Sequence, residues 1–159
     1  MSAPTPAELR DLALTAAREA GDLVVRLRGA GVDVAGTKSS PIDIVTEADR
    51  ASERLVHERI LAARPHDGMV GEEGSADTGT TGVVWIVDPI DGTVNYLYGL
   101  PHFAVSIAAE VDGQVVAGVV LAPALGLEYV ATLGGGATCN GRPARPRPVV
   151  PLSERLVGT

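Results

Sequence analysis

The sequence predicts an α+β fold in which two N-terminal helices pack on a mainly antiparallel β-sheet. The first part of the chain contains two amphipathic stretches, each opened by a threonine that can cap a helix. The later part consists of short runs rich in Val, Ile and Ala, separated by turn residues. Helices followed by hairpin-linked strands are typical of layered α+β domains. With 159 residues, 45% of them apolar, the chain is long enough for one domain with a substantial core.

The first helix is predicted to begin at Thr5-Pro6-Ala7-Glu8 and to end at Gly29. Thr5 can cap it, Pro6 suits the first helical position, and Glu8 can complete a capping box. Apolar residues then recur at helical spacing, which we interpret as core packing. They are Leu9, Leu12, Ala13, Ala16, Ala20, Leu23, Val24 and Leu27.

A second helix is predicted from Thr46-Glu47-Ala48-Asp49 to about Arg64, where Pro65 follows. Its expected apolar face consists of Ala48, Leu55, Val56, Ala62 and Ala63. The strand-like runs are Val83–Asp88, Phe103–Val111, Gln114–Leu121 and Leu127–Ala131. Asp112-Gly113 predicts a tight hairpin turn between two of them. We assign residues 1–140 to this helix-plus-sheet domain, and residues 141–159 to a proline-rich segment that leaves it.

Composition excludes several classes of partner. The chain has 13 basic and 20 acidic residues, a net charge of -7, which argues against nucleic acid or an anionic membrane as the main partner. No run is long and apolar enough to suggest a membrane span or a signal peptide. Cys139 is the single cysteine, so an internal disulfide is impossible and a reducing compartment is expected. We therefore expect a cytoplasmic protein.

The chemistry is concentrated in the stretch Trp85-Ile-Val-Asp-Pro-Ile-Asp-Gly-Thr93. Asp88 and Asp91 flank Pro89-Ile90 at the end of an apolar strand, and Pro89 is expected to prevent the strand from simply continuing. Neighbouring carboxylates repel one another unless a cation or a proton lies between them. Mg²⁺ prefers such oxygen ligands, and the absence of His and Cys from the cluster argues against zinc.

Further features of the chain extend this pattern. Gly92 lets the backbone approach a ligand closely, and a helical turn starting at Thr93 would direct N–H groups at a phosphate oxygen. Glu72-Glu73 forms a second acidic pair at a strand end, and Asp43 with Asp49 forms a third. Each has a structural alternative: an Asp-Gly turn, a solvated Glu pair, a plain helix cap. Together they favour metal-assisted phosphoryl transfer to water.

Several of these motifs resemble the inositol monophosphatase family. Asp88-Pro-Ile-Asp-Gly-Thr93, followed by Val94-Asn95-Tyr96, is similar to its signature motif. Gly71-Glu72-Glu73 resembles its upstream acidic motif, and Asp43-Ile-Val-Thr-Glu-Ala-Asp49 its helix-start motif. Lys38 with Ser39-Ser40 resembles the flexible loop that reaches the site in relatives.

The resemblance implies a Mg²⁺ site and a phosphate site. The implied Mg²⁺ ligands are Glu72, Asp88, the backbone carbonyl of Ile90, and Asp91. Phosphate would be held by Asp91, Gly92 and Thr93.

The resemblance also implies roles around the attacking water. Thr93, paired with Asp49, would position and help to activate it, and Glu72 would assist. Lys38 would close a mobile loop over the site. Glu73 would support the site without contacting the cation or the substrate directly. The implied fold is the first αβ half of a layered αβαβα sandwich. Residues 141–159 are expected to lead toward the second α/β half, which carries a further Asp ligand and most sugar contacts in the family and is expected to be missing from this chain.

The implied activity is Mg²⁺-dependent, lithium-sensitive hydrolysis of a small phosphorylated sugar or polyol, with myo-inositol monophosphate as the leading substrate. We also expect a homodimer. Histidinol phosphate, fructose bisphosphate and nucleotide 3′-phosphates remain alternative substrates. A non-catalytic domain that binds metal or phosphate and acts through protein partners is the alternative from another class.

Overall fold

The structure, a computed structural model, describes residues 4–31, 34–37, 44–146, 148–149 and 151–154. Within these ranges the α-helices are α1 (Pro6–Ala30), α2 (Glu47–Ala63) and α3 (Thr93–Leu97). The strands there are β1 (Val34–Thr37), β2 (Ile44–Thr46), β3 (Gly68–Gly71), β4 (Ala76–Asp77), β5 (Val83–Asp91), β6 (Ala104–Val111), β7 (Gln114–Ala122), β8 (Leu127–Thr132), β9 (Gly136–Cys139) and β10 (Arg142–Pro143). Short 3₁₀ turns occupy Pro123–Leu125 and Leu152–Glu154.

The two long helices begin as predicted. Thr5 caps α1 through a capping box, in which its N–H donates to Glu8 Oε2 at 2.7 Å. Thr46 caps α2 in the same way, with Asp49 as the third helical residue. The helix α1 extends one residue beyond the expected Gly29, and α2 stops at Ala63.

The inward face of α2 differs from the prediction. Ala62 and Ala63 are exposed, whereas Asp49, Ser52 and Glu53 are buried. Three polar residues therefore occupy positions that an apolar pattern does not mark, and they lie at the end of the helix where the candidate site is found.

The predicted fold class is confirmed. Among the described residues, eight strands form one sheet in the order β10-β9-β8-β7-β6-β5-β3-β4, and β1 pairs with β2 separately. All neighbours in the large sheet are antiparallel except β3 and β5, which run parallel. The predicted hairpin turn joins β6 to β7, with positive φ at Asp112 (49°) and Gly113 (83°), as a type I′ turn requires.

The helices α1 and α2 cover one face of this sheet, where the main core forms. The largest side chains buried there are Trp85, Leu9, Ile60, Met69 and Ile107. A smaller second core joins α1 and α3, and consists of Val24, Ala48, Ile90, Tyr96 and Phe103. No helix in the described part of the chain is both long and apolar enough to cross a membrane.

The strand β5 corrects the expectation about Pro89. The strand does not end there but continues to Asp91, and its pairing shifts between Asp88, opposite Ser106, and Asp91, opposite Ala104. Three steps along β5 thus match two along β6, which is the geometry of a β-bulge. Proline has no N–H to donate and is tolerated at such a bulge, so Pro89 bends the strand instead of stopping it.

Candidate active site

The parallel pairing of β3 with β5 brings the second acidic pair to the first. Gly71 lies opposite Val87, and the Glu72 N–H donates to the Val87 carbonyl at 3.0 Å. Parallel strands end at the same edge of a sheet, so Glu72 arrives beside Asp88. The acidic loop (residues 71–75) is thereby joined to the bulge of β5.

Asp88 is affected both by burial and by the nearby carboxyl groups. The pKa of Asp88 is raised to about 7, mainly by burial and in addition by the neighbouring carboxyl groups of Glu72 and Asp91. Its Oδ1 atom is buried and makes no hydrogen bond to any residue that the structure describes. An oxygen withdrawn from water with no donor nearby is costly, and a cation would remove that cost.

In the bulge, the side chain and the backbone of Ile90 have different roles. The Ile90 side chain is buried in the second core, while its carbonyl oxygen accepts a hydrogen bond from Thr93 Oγ1 at 3.0 Å. Gly92 follows with φ 87° and ψ 42°, and a Cβ there would lie 2.9 Å from the His102 carbonyl oxygen. Only glycine fits this turn without strain, which lets α3 begin at Thr93.

Asp49 and Thr93 meet although they are far apart in the chain. Thr93 Oγ1 lies 3.1 Å from Asp49 Oδ1, so the hydroxyl can donate to this carboxylate or to the Ile90 carbonyl. Asp49 is only 1% exposed and also accepts from the Thr46 N–H at 2.8 Å and from the Thr46 hydroxyl. Burial raises the pKa of Asp49, and the hydrogen bonds from Thr46 and Thr93 partly oppose this. Asp49 is thus both a helix cap and a partner of Thr93.

The second core supports this arrangement from behind. Tyr96 and Phe103 pack edge to face with ring centroids 5.1 Å apart, and the Arg28 guanidinium lies 5.2 Å from the Phe103 ring centre. The Tyr96 hydroxyl donates to the Val24 carbonyl at 2.8 Å. The short helix α3 is therefore tied to α1, which fixes the position of Thr93.

The donor set suits a hard divalent cation. The nearby groups are carboxylates and a backbone carbonyl, which Mg²⁺ prefers, and a cation would provide a partner for the buried Asp88 Oδ1. Across the residues that the structure describes, no three His, Cys, Asp or Glu side chains are already gathered closely enough to hold a metal ion.

The predicted site residues thus divide into two groups. The structure brings together Glu72, Asp88, Ile90, Asp91, Gly92, Thr93 and Asp49, with Glu73 half-buried beside them. Lys38 and Asp43 lie outside the described residues.

Two residues near the site were missed by the sequence analysis. Ser52 Oγ donates to the Pro89 carbonyl at 3.1 Å, and the Glu53 carboxylate accepts from the acidic loop. Both follow Asp49 at helical spacing, three and four residues later. Their polar side chains on the inward face of a helix were the signal that could have revealed them.

Comparison with known proteins gives one consistent result. A model described as the inositol monophosphatase family matches residues 5–159. The "Inositol-1-monophosphatase" of Rhizobium meliloti is 41% identical over 152 residues, which cover 95% of this chain and 57% of that protein. A "Histidinol-phosphatase" of Chlorobaculum parvum is 46% identical over 101 residues, which cover 64% of this chain and 39% of that protein.

Solved structures agree with the sequence comparison. The crystal structure of the extragenic suppressor protein suhB from Bartonella henselae superimposes with a TM-score of 0.81 at 38% identity, covering 86% of this chain and 54% of that chain. This chain therefore spans little more than half the length of the relatives that it matches over most of its own length.

Proposed function

The chain belongs to the inositol monophosphatase family, and from that premise we propose that it serves Mg²⁺-dependent hydrolysis of a small phosphomonoester. We propose myo-inositol monophosphate as the leading substrate. The observation that carries this proposal is that the carboxyl groups of Glu72 and Asp91 act on the half-buried Asp88, near the hydrogen-bonded pair of Thr93 and Asp49. Acidic oxygens next to a hydroxyl that is itself hydrogen-bonded to a buried carboxylate form a recognisable arrangement for hydrolysis by water.

Glu72, Asp88, Asp91 and the Ile90 carbonyl would hold the cation. A bound Mg²⁺ lowers the pKa of the attacking water and neutralises charge on the leaving alkoxide. Asp91 and the backbone N–H groups of Gly92 and Thr93 would contact the phosphate, since α3 begins at Thr93 and the first N–H groups of a helix have no partner within it.

The Thr93 hydroxyl would orient the water. When the Thr93 hydroxyl donates a hydrogen bond to Asp49 Oδ1, 3.1 Å away, the lone pairs of Oγ1 can accept a hydrogen bond from the water. Asp49 can take up a proton readily because burial raises its pKa. Glu72 would assist from the acidic loop that follows β3. Within the same proposal, Lys38 closes over the site and Glu73 supports the acidic loop.

Two alternatives are distinguishable. Histidinol phosphate is the second candidate substrate, because the Chlorobaculum parvum relative carries that name; fructose bisphosphate and nucleotide 3′-phosphates complete the panel. A metal- or phosphate-binding domain without catalysis of its own is the alternative of another class, and the coverage of 57% of the Rhizobium meliloti relative favours testing it. A cytoplasmic homodimer with lithium sensitivity completes the proposal.

The deciding experiment measures phosphate release with and without Mg²⁺ over this panel. It uses the 159-residue chain and a chimaera in which the remainder of the Rhizobium meliloti relative follows it. We expect Asp91→Asn to lower turnover roughly a thousandfold, because a ligand of the cation is lost. Asp112→Asn, in the exposed hairpin turn, makes the same chemical change away from the site and should leave turnover unchanged.

The outcomes separate the alternatives. Activity of the chimaera without activity of the shorter chain would assign this chain the binding role. Absence of Mg²⁺-dependent turnover in both would contradict the enzyme proposal. Near wild-type turnover in Asp91→Asn would remove Asp91 from the site.

A further inference from the structure

Glu53 is a buried carboxylate that the proposed chemistry leaves without a role. It is 3% exposed, on the inward face of α2, and it points into the acidic loop. One of its oxygens accepts from the Glu73 N–H at 2.7 Å and the other from the Ser75 N–H at 2.9 Å. Two charge-assisted hydrogen bonds from backbone groups are the strong kind, so the carboxylate and the loop hold each other.

We propose that Glu53 is a positioning residue whose carboxylate holds the acidic loop so that Glu72 faces Asp88. The proposal rests on the proposed function, because it concerns the same cation site. Glu53 does not touch the cation in this proposal; it acts through the backbone on either side of Glu72.

The backbone around Glu72 is held from two directions. Its own N–H donates to Val87 in β5, and the next N–H, that of Glu73, donates to Glu53. The Gly71 N–H donates to the Ser75 carbonyl at 2.7 Å, which closes the loop around the carboxylate. Because the peptide groups on both sides of Glu72 are hydrogen-bonded, the direction of its Cα–Cβ bond is fixed. The Glu72 carboxyl group is a neighbour of the Asp88 carboxyl group.

Gly71 shows how tightly the loop surrounds this carboxylate. A Cβ at Gly71 would lie 2.5 Å from the carboxyl carbon of Glu53, well inside van der Waals contact. The position carries no positive φ, so the glycine is required for space and not for its backbone conformation. Glycine at this position is what admits the Glu53 side chain.

The same face of α2 reaches each backbone segment of the site. Asp49 contacts Thr93, Ser52 contacts the Pro89 carbonyl, and Glu53 contacts the acidic loop. Burying a charge costs several kcal/mol before its partners offset it. A carboxylate in this position is therefore better explained by the geometry it imposes on the site than by a general contribution to stability.

The test compares Glu53→Gln with Glu58→Gln, the same chemical change at an exposed position of α2. Glutamine keeps one acceptor oxygen and turns an NH₂ group toward the second backbone N–H, so one hydrogen bond is lost. Two readouts are needed: hydrogen exchange of the Glu73 and Ser75 amides, and affinity for Mn²⁺ alone, measured by electron paramagnetic resonance of the free ion.

We expect Glu53→Gln to exchange these two amides about tenfold faster or more. Its Mn²⁺ affinity should fall about tenfold to a hundredfold, as is typical when a group that orients a ligand is lost. The core amides of Ile107 and Val119 should be unchanged, and Glu58→Gln should match the wild type in both readouts.

Gly71→Ala provides a second route if Glu53→Gln does not fold. Its methyl group displaces the carboxylate without removing it, and it should reproduce both effects. The double variant should lose no more Mn²⁺ affinity than the larger single effect, because both substitutions break one contact.

Each outcome decides one of the two proposals. Wild-type Mn²⁺ affinity in Glu53→Gln and Gly71→Ala would overturn the positioning role while leaving the proposed function intact. Faster amide exchange with unchanged Mn²⁺ affinity would also overturn it, since Glu53 would then be only structural. If the wild-type chain itself does not bind Mn²⁺, the cation site fails together with this inference.

Discussion

Asp88 and Asp91 stand three positions apart in β5, a spacing that in an uninterrupted strand sends two side chains to opposite faces. The bulge changes this. Their partners on β6, Ser106 and Ala104, are two positions apart and so share one face. The single extra residue at Pro89-Ile90 therefore brings both carboxylates to the same side, and the crowding that raises the pKa of Asp88 follows from it.

The raised pKa of Asp88 predicts a pH dependence for the metal-free chain. Its folded-state pKa of about 7 lies above the ordinary 3.8, so the folded state binds this proton more tightly than the unfolded state. Stability from this group is fully present below the ordinary pKa and is lost as the pH rises through 7. Asp88→Asn cannot ionise, so we expect its melting temperature to fall less than that of the wild type between pH 5 and pH 8.

Thermal melts in chelator at these two pH values measure this. The same variant should lose Mn²⁺ binding, so that stability and binding change in opposite directions at pH 8. Asp112→Asn is the matched control. Parallel pH profiles for the wild type and Asp88→Asn would show that Asp88 is not the titrating group.

The helix α2 connects the site to the rest of the fold at the scale of secondary structure. Its first turns carry Asp49, Ser52 and Glu53, while a different polar cluster follows its other end. There the buried Asp67 accepts hydrogen bonds from Trp85 Nε1 at 2.9 Å, from Thr81 Oγ1 at 2.7 Å and from Arg64 Nη2 at 3.0 Å. One cluster aligns the site, and the other anchors the helix end to β5.

The Asp67 cluster predicts a large stability effect. Burial alone would raise the pKa of Asp67, but the hydrogen bonds from Arg64, Thr81 and Trp85 outweigh it, so the pKa lies below its ordinary value. A depressed pKa contributes stability that is present above the unfolded value and lost as the pH falls through the folded one. We expect Asp67→Asn to cost about 3 kcal/mol at pH 7, because the buried Trp85 N–H and the partly buried Arg64 guanidinium lose a charged partner.

Urea denaturation at pH 7 and pH 3 measures this free energy. The difference between Asp67→Asn and the wild type should shrink at pH 3, below the ordinary pKa of 3.8, because the stability contributed by a lowered pKa decreases there. Asp22→Asn, at an exposed position of α1, is the control and should change stability by no more than about 0.5 kcal/mol. An equal difference at both pH values would contradict the electrostatic explanation.

At the scale of the whole molecule, the two faces of the sheet differ. The helices cover one face, while the outer face carries an apolar row in direct register across the strands. The row consists of Val70, Ile86, Ala108, Gly118, Ala131 and Ala137. Val70 is 53% exposed and Ile86 41% exposed. Contiguous apolar surface of this kind favours association.

We therefore expect the 159-residue chain to associate with increasing concentration through this outer face. Ile86→Lys should shift the equilibrium toward the monomer, since a charge cannot be buried there without a partner. Val25→Lys, on the exposed side of α1, is the matched control and should not. Sedimentation velocity over a concentration series measures the effect. A wild-type chain that stays monomeric throughout, or an equal effect of both variants, would contradict the prediction.

Local signals predicted most of the elements. Thr5 and Thr46 predicted the helix starts, because a capping box involves only residues three positions apart in the sequence. Asp112-Gly113 predicted the hairpin turn, because a type I′ turn requires positive φ at both central residues and few residue types adopt it. The parallel pairing of β3 with β5 had no such signal, since it joins segments separated by a loop and depends on which strand edge is free. The bulge at Pro89 was mistaken for a strand end for the same reason: pairing with β6 decides it.

The sequence by itself determined the kind of protein and the kinds of atoms at its site. The carboxylates of Asp88 and Asp91, the turn at Gly92 and the hydroxyl of Thr93 could be read from a short segment, because their chemistry and spacing are local properties. The contacts of Glu72 with Asp88 and of Asp49 with Thr93 were implied by the family resemblance, but only the tertiary structure gave their geometry, and only it showed that Glu53 lies beneath the acidic loop. These contacts join residues brought together by strand pairing and helix packing, so their distances cannot be derived from spacing along the chain.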